Sequence, residues 1–417
     1  MENYSIVIFI LAVMIGLSAI ADKIRLPYPI LLIIAGIAVG FIPGLPDIEL
    51  NPNVVFLIFL PPLLYDAAFN ISFQEFKTNI NTISALAISL VFLTATGIAV
   101  IAHYLIPGMS WPLSFVLGAI LPATDAVAAM SITKGLGLSH KTNTILEGES
   151  LVNDASALVA YRFAVAAVTG SVFVLWKASL EFALLMAGGF VIGLIMGRIL
   201  AYILRFVKDN AIVTISFMLL MHFVTYLVAE ELHVSGVIAV VVLGLGISRF
   251  SNKVFPEKLK TESRTIWDII IFLLNGLIFI LIGLEFPYII RNIDNELIPA
   301  YVVYAFIITI AALLLRMARV FLQQVNLQNA FRKKKGRITE HALLDFNTSL
   351  IISWSGMRGI VSLAIAIGLP MTLGDGSPFP QRNAIIFIAI VVVLFTLIGQ
   401  GLTLPWIVKR LNPKDPV

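Results

Sequence analysis

Residues 118–125, Gly-Ala-Ile-Leu-Pro-Ala-Thr-Asp, interrupt an apolar stretch that is otherwise long enough to cross a membrane. Pro122 removes a helical hydrogen bond, and Thr124 and Asp125 bring polar groups to mid-depth. Residues 353–359, Ser-Trp-Ser-Gly-Met-Arg-Gly, interrupt a later apolar stretch with two glycines and an arginine. These two stretches predict two broken transmembrane helices.

Further apolar segments have the length that a membrane span requires, about 20 residues. Thirteen segments are predicted in all, at 5–21, 28–43, 53–71, 79–104, 112–133, 145–169, 179–206, 211–229, 235–250, 266–289, 299–324, 347–369 and 383–408. The broken ones are the fifth and the twelfth. Because paired interrupted helices are typical of inverted-repeat transporters, segments one to six are predicted to repeat as segments eight to thirteen in opposite orientation. Ordinary tolerance of membrane helices for proline and glycine is the alternative.

The composition predicts an all-α polytopic membrane protein. Of the 417 residues, 59% are hydrophobic and 12% are charged, against roughly 25% charged in soluble domains. These values exclude a soluble enzyme, a disordered protein and a coiled coil. The absence of cysteine excludes thiol nucleophiles, iron–sulfur clusters and cysteine-based zinc sites. The longest polar stretches, 251–265 and 325–346, are too short for a soluble domain, so residues 1–417 are predicted to form one membrane domain.

The charges of the loops predict the orientation. Alternate loops hold twenty Lys and Arg residues on one side and three on the other. The richer side is cytoplasmic by the positive-inside rule, which places the N-terminus outside and the C-terminus in the cytoplasm. The first segment is expected to be retained, because residues 1–3, Met-Glu-Asn, lack the basic residues of a signal peptide.

Carboxylates within the apolar segments indicate the function. Asp66 lies in the third segment and Asp125 in the fifth, and residues 147–154 of the sixth read Glu-Gly-Glu-Ser-Leu-Val-Asn-Asp. A buried carboxylate is costly unless it is paired, protonated or bound to a cation. Structural ion pairs are the alternative for any one acid, but they explain the whole set poorly.

The spacing in the sixth segment predicts a cation site. Ser150 and Asp154 are four residues apart and share a helix face, and Glu149 and Asn153 share the adjacent face. A hydroxyl beside a carboxylate offers the oxygen ligands that hard cations prefer. Thr124 can add its hydroxyl and the carbonyls of the unwound backbone. Because a buried carboxylate binds a proton or a cation but not both, the pattern predicts exchange at Asp154.

Arginines within the segments need partners, because charge inside a membrane is costly. Glu149 is predicted to pair with Arg319, and Arg316 is a competing partner that the spacing cannot exclude. Asp125 and Arg358 are expected at the opened helix ends, where an acid favours a positive N-terminus and an arginine a negative C-terminus.

With these motifs, the chain resembles the sodium/proton antiporters of the NhaP/NHE branch of the cation:proton antiporters. The matching stretches follow the family's order across nearly the whole chain: 59–68 (Phe-Leu-Pro-Pro-Leu-Leu-Tyr-Asp-Ala-Ala), 118–125, 147–154, 276–284 (Gly-Leu-Ile-Phe-Ile-Leu-Ile-Gly-Leu), 318–320 (Ala-Arg-Val) and 356–359 (Gly-Met-Arg-Gly). The run at 147–154 is specific, and the set together is more so.

The resemblance implies a fold of thirteen helices in two parts. The ion-transporting core would comprise 79–169 and 299–408, with 53–71 contributing to the site, and a dimerisation part would comprise 5–43 and 179–289. Transport would proceed by an elevator-like movement of the core within a homodimer. The chain ends at Val417 without a long regulatory tail, which favours a transporter of a prokaryotic cell membrane.

The resemblance also implies a site. Asp154 would bind Na⁺ or Li⁺ and, alternately, a proton. Na⁺ would be held by Asp154, Ser150, Thr124 and Asp66. Asp125 and Asn153 would also belong to the ion- and proton-binding residues.

Three further residues bear on this resemblance. Glu149 and Arg319 would be the family's ion pair. Asn153 stands where electrogenic relatives carry a second aspartate, which implies electroneutral one-for-one exchange. Two positions depart from the family's pattern: no proline follows Asp125, and Asp66 is shorter than a glutamate.

Two other functions remain open. One is K⁺/H⁺ exchange, or another cation-coupled carrier on the same scaffold. The other is an intramembrane aspartyl protease using Asp125 and Asp154, which is disfavoured because the sequence has no Gly-x-Gly-Asp run. No cofactor and no nucleic acid is predicted. The expected partners are the transported ions, the bilayer and a second copy of the chain.

Gly189, Gly193 and Gly197 form a stripe of small residues in the seventh segment. Such a stripe allows either close helix packing within the chain or dimerisation, and the sequence does not choose between them.

Overall fold

The computed structural model describes residues 11–17, 19, 28–42, 52–133, 136–170, 175–333 and 339–411, and the regular structure over these residues is helical. The α-helices are α1 (Tyr28–Gly40), α2 (Pro52–Asn70), α3 (Phe73–Thr78), α4 (Ile80–Leu105, with a π-helical turn at Ala85–Ser89), α5 (Trp111–Ile120), α6 (Ala126–Thr133), α7 (His140–Val168), α8 (Leu175–Val207), α9 (Ala211–Glu231), α10 (Gly236–Val254), α11 (Glu257–Arg291), α12 (Ile298–Arg332), α13 (Phe346–Trp354), α14 (Ile360–Ile367) and α15 (Arg382–Leu411). Residues 11–17 are helical as well.

These helices confirm the predicted segments. Segments two to thirteen each coincide with one helix or with a broken pair of helices. The helical residues 11–17 belong to the first segment, and of the rest of 5–21 only residue 19 lies among the described residues. Eight of the described helices are long and apolar enough to cross a membrane.

The polar stretches between segments are more helical than their composition suggests. Only residues 255 and 256 separate α10 from α11, so most of the stretch 251–265 is helical. Helix α12 likewise continues to Arg332, well into the stretch 325–346. Charged side chains on the extra turns of α10 and α11, and Asn and Gln side chains on those of α12, end the apolar runs. They do not end the helices, because Lys, Arg, Glu and Gln are good helix formers.

The two broken segments cross at their interruptions. Residues 121–125 separate α5 from α6, and residues 355–359 separate α13 from α14. The two interruptions pair through an isolated antiparallel bridge between Thr124 and Arg358. Four helix ends therefore meet at one place, which is the arrangement predicted for paired broken helices of an inverted repeat.

Helices α1 and α11 approach each other closely through two glycines. A Cβ atom on Gly36 would lie 2.4 Å from the carbonyl oxygen of Ile280, and one on Gly283 would lie 2.4 Å from that of Ile33. Any larger residue at either position would push the two helices apart.

The glycine stripe of α8 packs within the chain, against α10. A Cβ on Gly193 would lie 2.5 Å from the carbonyl oxygen of Ala239. A Cβ on Gly189 would lie 2.5 Å from the carbonyl oxygen of Ser235, the residue before α10. One turn further along, a Cβ on Gly197 would have Leu243 Cα as its nearest neighbour, at 3.8 Å. Of the two interpretations of the stripe, the structure supports close packing between helices of one chain.

The same substitution one turn apart should therefore have opposite effects. Gly193→Ala should lower the thermal unfolding midpoint of the detergent-solubilised protein, because the new methyl group meets backbone atoms of α10 that cannot move alone. Gly197→Ala should leave the midpoint unchanged or raise it, because its methyl group has space and alanine favours a helix over glycine by about 1 kcal/mol. Equal midpoints for the two variants would contradict this packing.

Candidate cation-binding site

A cavity of about 60 Å³ lies beside the crossing of the broken segments. Its walls come from α2, residues 123–125, α7, α11 and the start of α14. Because a water needs about 10–15 Å³ of such volume, the cavity has room for a small cation and several waters. Five predicted site residues line it: Asp66, Thr124, Asp125, Ser150 and Asp154.

Asp154 lies on the wall that α7 forms. The residue is 7% exposed, and its Oδ1 atom has no hydrogen-bond partner among the described residues. A buried acceptor without a donor costs free energy, and more so when it is charged. A proton or a cation bound at this oxygen would remove that cost.

Ser150 lies one helical turn before Asp154 and faces the same cavity. Its hydroxyl donates to the backbone carbonyl oxygen of Thr124 at 2.8 Å. The bond uses the hydroxyl hydrogen, so the lone pairs of Oγ remain for a cation. It also ties α7 to the unwound backbone.

Asn153 holds the unwound backbone from another side. Its Nδ2 donates to Thr124 Oγ1 at 2.7 Å, and its Oδ1 accepts from the backbone N–H of Thr124 at 3.3 Å. The sequence placed Asn153 among the ion-binding residues, but the described lining of the cavity does not include it. Successive helix residues are about 100° apart, so the face shared by Ser150 and Asp154 directs Asn153 elsewhere.

Asp125 and Arg358 compensate opened helix ends, as the helix dipole predicts. Asp125 Oδ1 accepts from the backbone N–H of Ala128 in the first turn of α6, at 2.9 Å. Arg358 Nη1 donates to the carbonyl oxygen of Pro122, just beyond the C-terminal end of α5, at 2.8 Å. A Cβ on Gly359 would lie 2.1 Å from Asp125 Oδ2, so only glycine leaves room for this carboxylate.

Asp66 lies on the α2 wall of the cavity and is half-buried. Its Oδ1 accepts from Asn70 Nδ2, one turn later on the same helix, at 2.9 Å. The amide holds the side chain in position and leaves a second carboxylate oxygen for a cation.

Glu149 pairs with Arg316, and the predicted pairing with Arg319 is wrong. Both carboxylate oxygens of Glu149 accept from the Arg316 guanidinium, one of them at 2.8 Å, and both residues are almost fully buried. Arg319 is one turn along α12 and points elsewhere, donating to Ser89 Oγ at 3.1 Å and to Gln323 Oε1 at 3.3 Å.

Arg316 also binds the second broken segment. Its Nε donates to the carbonyl oxygens of Ile352 and Ser353 at 3.1 Å, and its Nη2 donates to Ile352 at 2.9 Å. These carbonyls belong to the last turn of α13. The helix ends there, so it contains no N–H groups that could donate to them. A Cβ on Gly356 would lie 2.2 Å from Arg316 Nε, so a glycine at this position leaves room for the guanidinium.

Asn275 is a lining residue that the sequence analysis missed. It lies on α11, is 2% exposed, and its Oδ1 has no hydrogen-bond partner among the described residues. A single amide in the apolar run Leu-Leu-Asn-Gly-Leu-Ile was the available signal.

A second missed feature is an ion pair between α7 and α9. Both carboxylate oxygens of Glu230 accept from Arg162 Nη2, at 2.8 Å each. Glu230 Oε1 also accepts from the backbone N–H of Gly236 at 3.3 Å. Next to this pair lies a second cavity of about 370 Å³, which Phe56, Tyr161 and neighbouring residues line.

Comparison with known proteins gives matches over nearly the whole chain. A family model described as sodium/hydrogen exchanger, transmembrane, matches residues 8–410. A sodium, potassium, lithium and rubidium/H⁺ antiporter from Bacillus pumilus is 35% identical over 98% of this chain, which spans 62% of the length of that protein. The Na⁺/H⁺ antiporter NhaH from Halobacillus aidingensis is 32% identical over 97% of each chain.

Solved structures share the fold. The sodium proton antiporter MjNhaP1 from Methanocaldococcus jannaschii superposes with a TM-score of 0.74 at 20% identity, covering 99% of this chain and 100% of that chain.

Arg316 and Arg319, one turn apart on α12, give a matched test of the buried ion pair. Arg316→Ala should lower the free energy of unfolding by about 3–5 kcal/mol, because it leaves the Glu149 carboxylate buried without its partner. Arg319→Ala, one turn away, should cost far less, because this half-buried guanidinium contacts two neutral side chains. Unfolding of both variants in detergent measures the difference, and similar losses would contradict the pairing.

Proposed function

Because the chain belongs to the sodium/hydrogen exchanger family, we propose that it is a secondary active antiporter that exchanges Na⁺ for H⁺. The observation that carries this proposal is the buried Asp154 oxygen, which lacks a hydrogen-bond donor among the described residues and faces a cavity with room for a small cation and several waters. Membership of a transporter family, rather than the cavity itself, argues against the alternative of an intramembrane protease.

Exchange follows from competition at Asp154. With a cation bound, the carboxylate is charged and shares the ion with the oxygens of Ser150, Thr124 and Asp66. With a proton bound, the carboxyl is neutral and holds the cation too weakly to retain it. Each ligand therefore releases the other, and either gradient can drive the other ion.

The proposed stoichiometry is one proton for one Na⁺, without net charge movement. Asn153 supports it, because the position next to Asp154 carries a neutral amide whose groups both bind Thr124. No second carboxylate is therefore available there to carry another proton.

Alternating access by an elevator-like movement is also proposed. The core (79–169 and 299–408) would slide against the remainder (5–43 and 179–289), which would form the dimer contact. In support, the cavity wall includes helices assigned to both parts: α7 and the crossing belong to the core, and α11 belongs to the remainder.

The pair of Arg162 and Glu230 would hold the two parts together on the external side. Arg162 follows Asp154 by eight residues, about 12 Å along a helix, towards the end of α7 that the positive-inside rule places outside. Glu230 is at the corresponding end of α9 in the other part. The bidentate contact would thus close the external path and must break when the core moves.

A second candidate is K⁺/H⁺ exchange at the same site. The description of the relative from Bacillus pumilus as an antiporter of sodium, potassium, lithium and rubidium supports this second candidate. A shorter acid such as Asp66 also leaves more room than a glutamate would. The protein would reside in a prokaryotic cell membrane with its C-terminus in the cytoplasm.

Proteoliposomes with an acid-inside pH gradient and an internal pH dye test the proposal. Addition of Na⁺ should dissipate the gradient, because external Na⁺ enters as protons leave. Asp154→Asn should abolish this response, since a neutral amide cannot exchange a proton for a cation. Li⁺ and K⁺ in the same assay rank the ions.

The control is a variant outside the site, Gly197→Ala, which should transport as the wild type does. A K⁺/valinomycin clamp should leave the rate unchanged if exchange is electroneutral. Rates that follow the clamped potential would contradict the one-for-one stoichiometry, and a wild type without cation response would contradict antiport.

The external contact can be tested with a cysteine reporter, because the natural chain has none. Leu158→Cys places a thiol in the wall of the second cavity. Adding Arg162→Gln should speed the labelling of this thiol by an impermeant reagent up to about fivefold. This is the change expected from the loss of a half-exposed ion pair that contributes up to about 1 kcal/mol. Lys260→Gln, which breaks the ion pair of Lys260 with Glu257, is the control and should leave labelling unchanged. An unchanged labelling rate with Arg162→Gln would contradict the proposal that the pair of Arg162 and Glu230 closes the external path.

A further inference from the structure

The cavity contains a second buried oxygen that its described surroundings leave without a partner. Asp154 Oδ1 is one, and Asn275 Oδ1 is the other. A buried carbonyl that has lost its water partners destabilises the fold, and a leucine, with the same number of side-chain non-hydrogen atoms, would avoid that cost. A water or an ion bound in the cavity would satisfy such a group.

The orientation of α11 brings the amide to the cavity. Ile271 and Asn275 are four residues apart on α11, and both line the cavity. On another side of the same helix, Gly276 packs tightly against Met14, because a Cβ there would lie 2.2 Å from the sulfur atom. The helix is therefore fixed in rotation, and the amide is held towards the space that Asp154 also faces.

We propose that the side-chain carbonyl of Asn275 is a further ligand of the transported cation, supplied from α11 across the boundary with the core. The inference rests on the proposed function. An amide oxygen suits a hard monovalent cation. Being neutral, it adds a ligand without changing the charge that the site must balance.

The position of Asn275 gives this ligand a distinctive property. Asp154, Ser150 and Thr124 travel with the core in the proposed movement, whereas Asn275 stays with α11. The cation would therefore have the extra ligand only while the cavity is open as it is in this structure. After the movement, the same core ligands would bind the ion without it, so Asn275 should raise cation affinity on one membrane face alone.

The test compares two substitutions that keep the number of side-chain non-hydrogen atoms. Asn275→Leu removes the oxygen, and Asn275→Asp keeps one in the same place. Everted and right-side-out membrane vesicles present opposite faces of the protein to added Na⁺. Asn275→Leu should raise the apparent KM for Na⁺ about tenfold on one face and less than about twofold on the other, and Asn275→Asp should not raise it on either.

Ser263→Ala is the matched control. Ser263 lies on the same helix and also has a buried oxygen without a partner among the described residues, but it is not part of the cavity wall. Its KM should equal that of the wild type on both faces. A second measurement needs no transport: the Na⁺ concentration that half-maximally raises the thermal midpoint in detergent should increase about tenfold in Asn275→Leu.

The outcomes separate this inference from the proposed function. The inference would be overturned, and antiport left intact, if Asn275→Leu kept the wild-type KM on both faces. The same would follow if the KM rose equally on both faces and the thermal midpoint without Na⁺ fell. A wild type that neither transports Na⁺ nor is stabilised by it would overturn the proposed function, and the inference with it.

Discussion

Unwinding a helix inside a membrane exposes backbone groups where no lipid can bond to them, and the rest of this structure depends on how those groups are satisfied. The backbone N–H of Asp125 donates to the carbonyl oxygen of Met357 at 2.8 Å, so each interruption completes the other. The N–H of Thr124 goes to the Asn153 amide, and the carbonyl of Pro122 accepts from Arg358. The polar residues that satisfy the crossing are thus neighbours of the cation cavity, and the site is held in shape by the same bonds.

The Glu149–Arg316 pair has a different role, because it fixes α7 to the second broken segment. A guanidinium bound by two carboxylate oxygens and by the carbonyls that end α13 has almost all its donors satisfied. Replacing this pair with apolar residues need not weaken the fold, but removing one member would. Arg316 is bound to Glu149. Asp154, five residues later on α7, therefore has no guanidinium bound to it among the described contacts.

The sequence predicted the spans, the two breaks and most of the polar residues of the cavity wall, because each produces a local signal: an apolar run, or a polar residue within one. It could not assign partners that depend on helix rotation. Arg316 and Arg319 are one turn apart, and only the packing of α12 decides which of them meets Glu149. The pair of Arg162 with a residue 68 positions away has no local signal. Asn275 is a single amide in an apolar run, and its importance appears only when α11 is placed beside the core.

The balance of charges around the crossing explains why one carboxylate can be sufficient for exchange. Glu149 is neutralised by Arg316, and the charges of Asp125 and Arg358 oppose each other at the helix ends. Asp154 is the remaining charge that the core contributes, because Asp66 comes from α2, outside the core. Under the proposed exchange, Asp154 moves with either a proton or a cation bound. The core would then carry the same charge in both directions. The membrane potential would favour neither direction, and the two concentration gradients alone would determine the net flux.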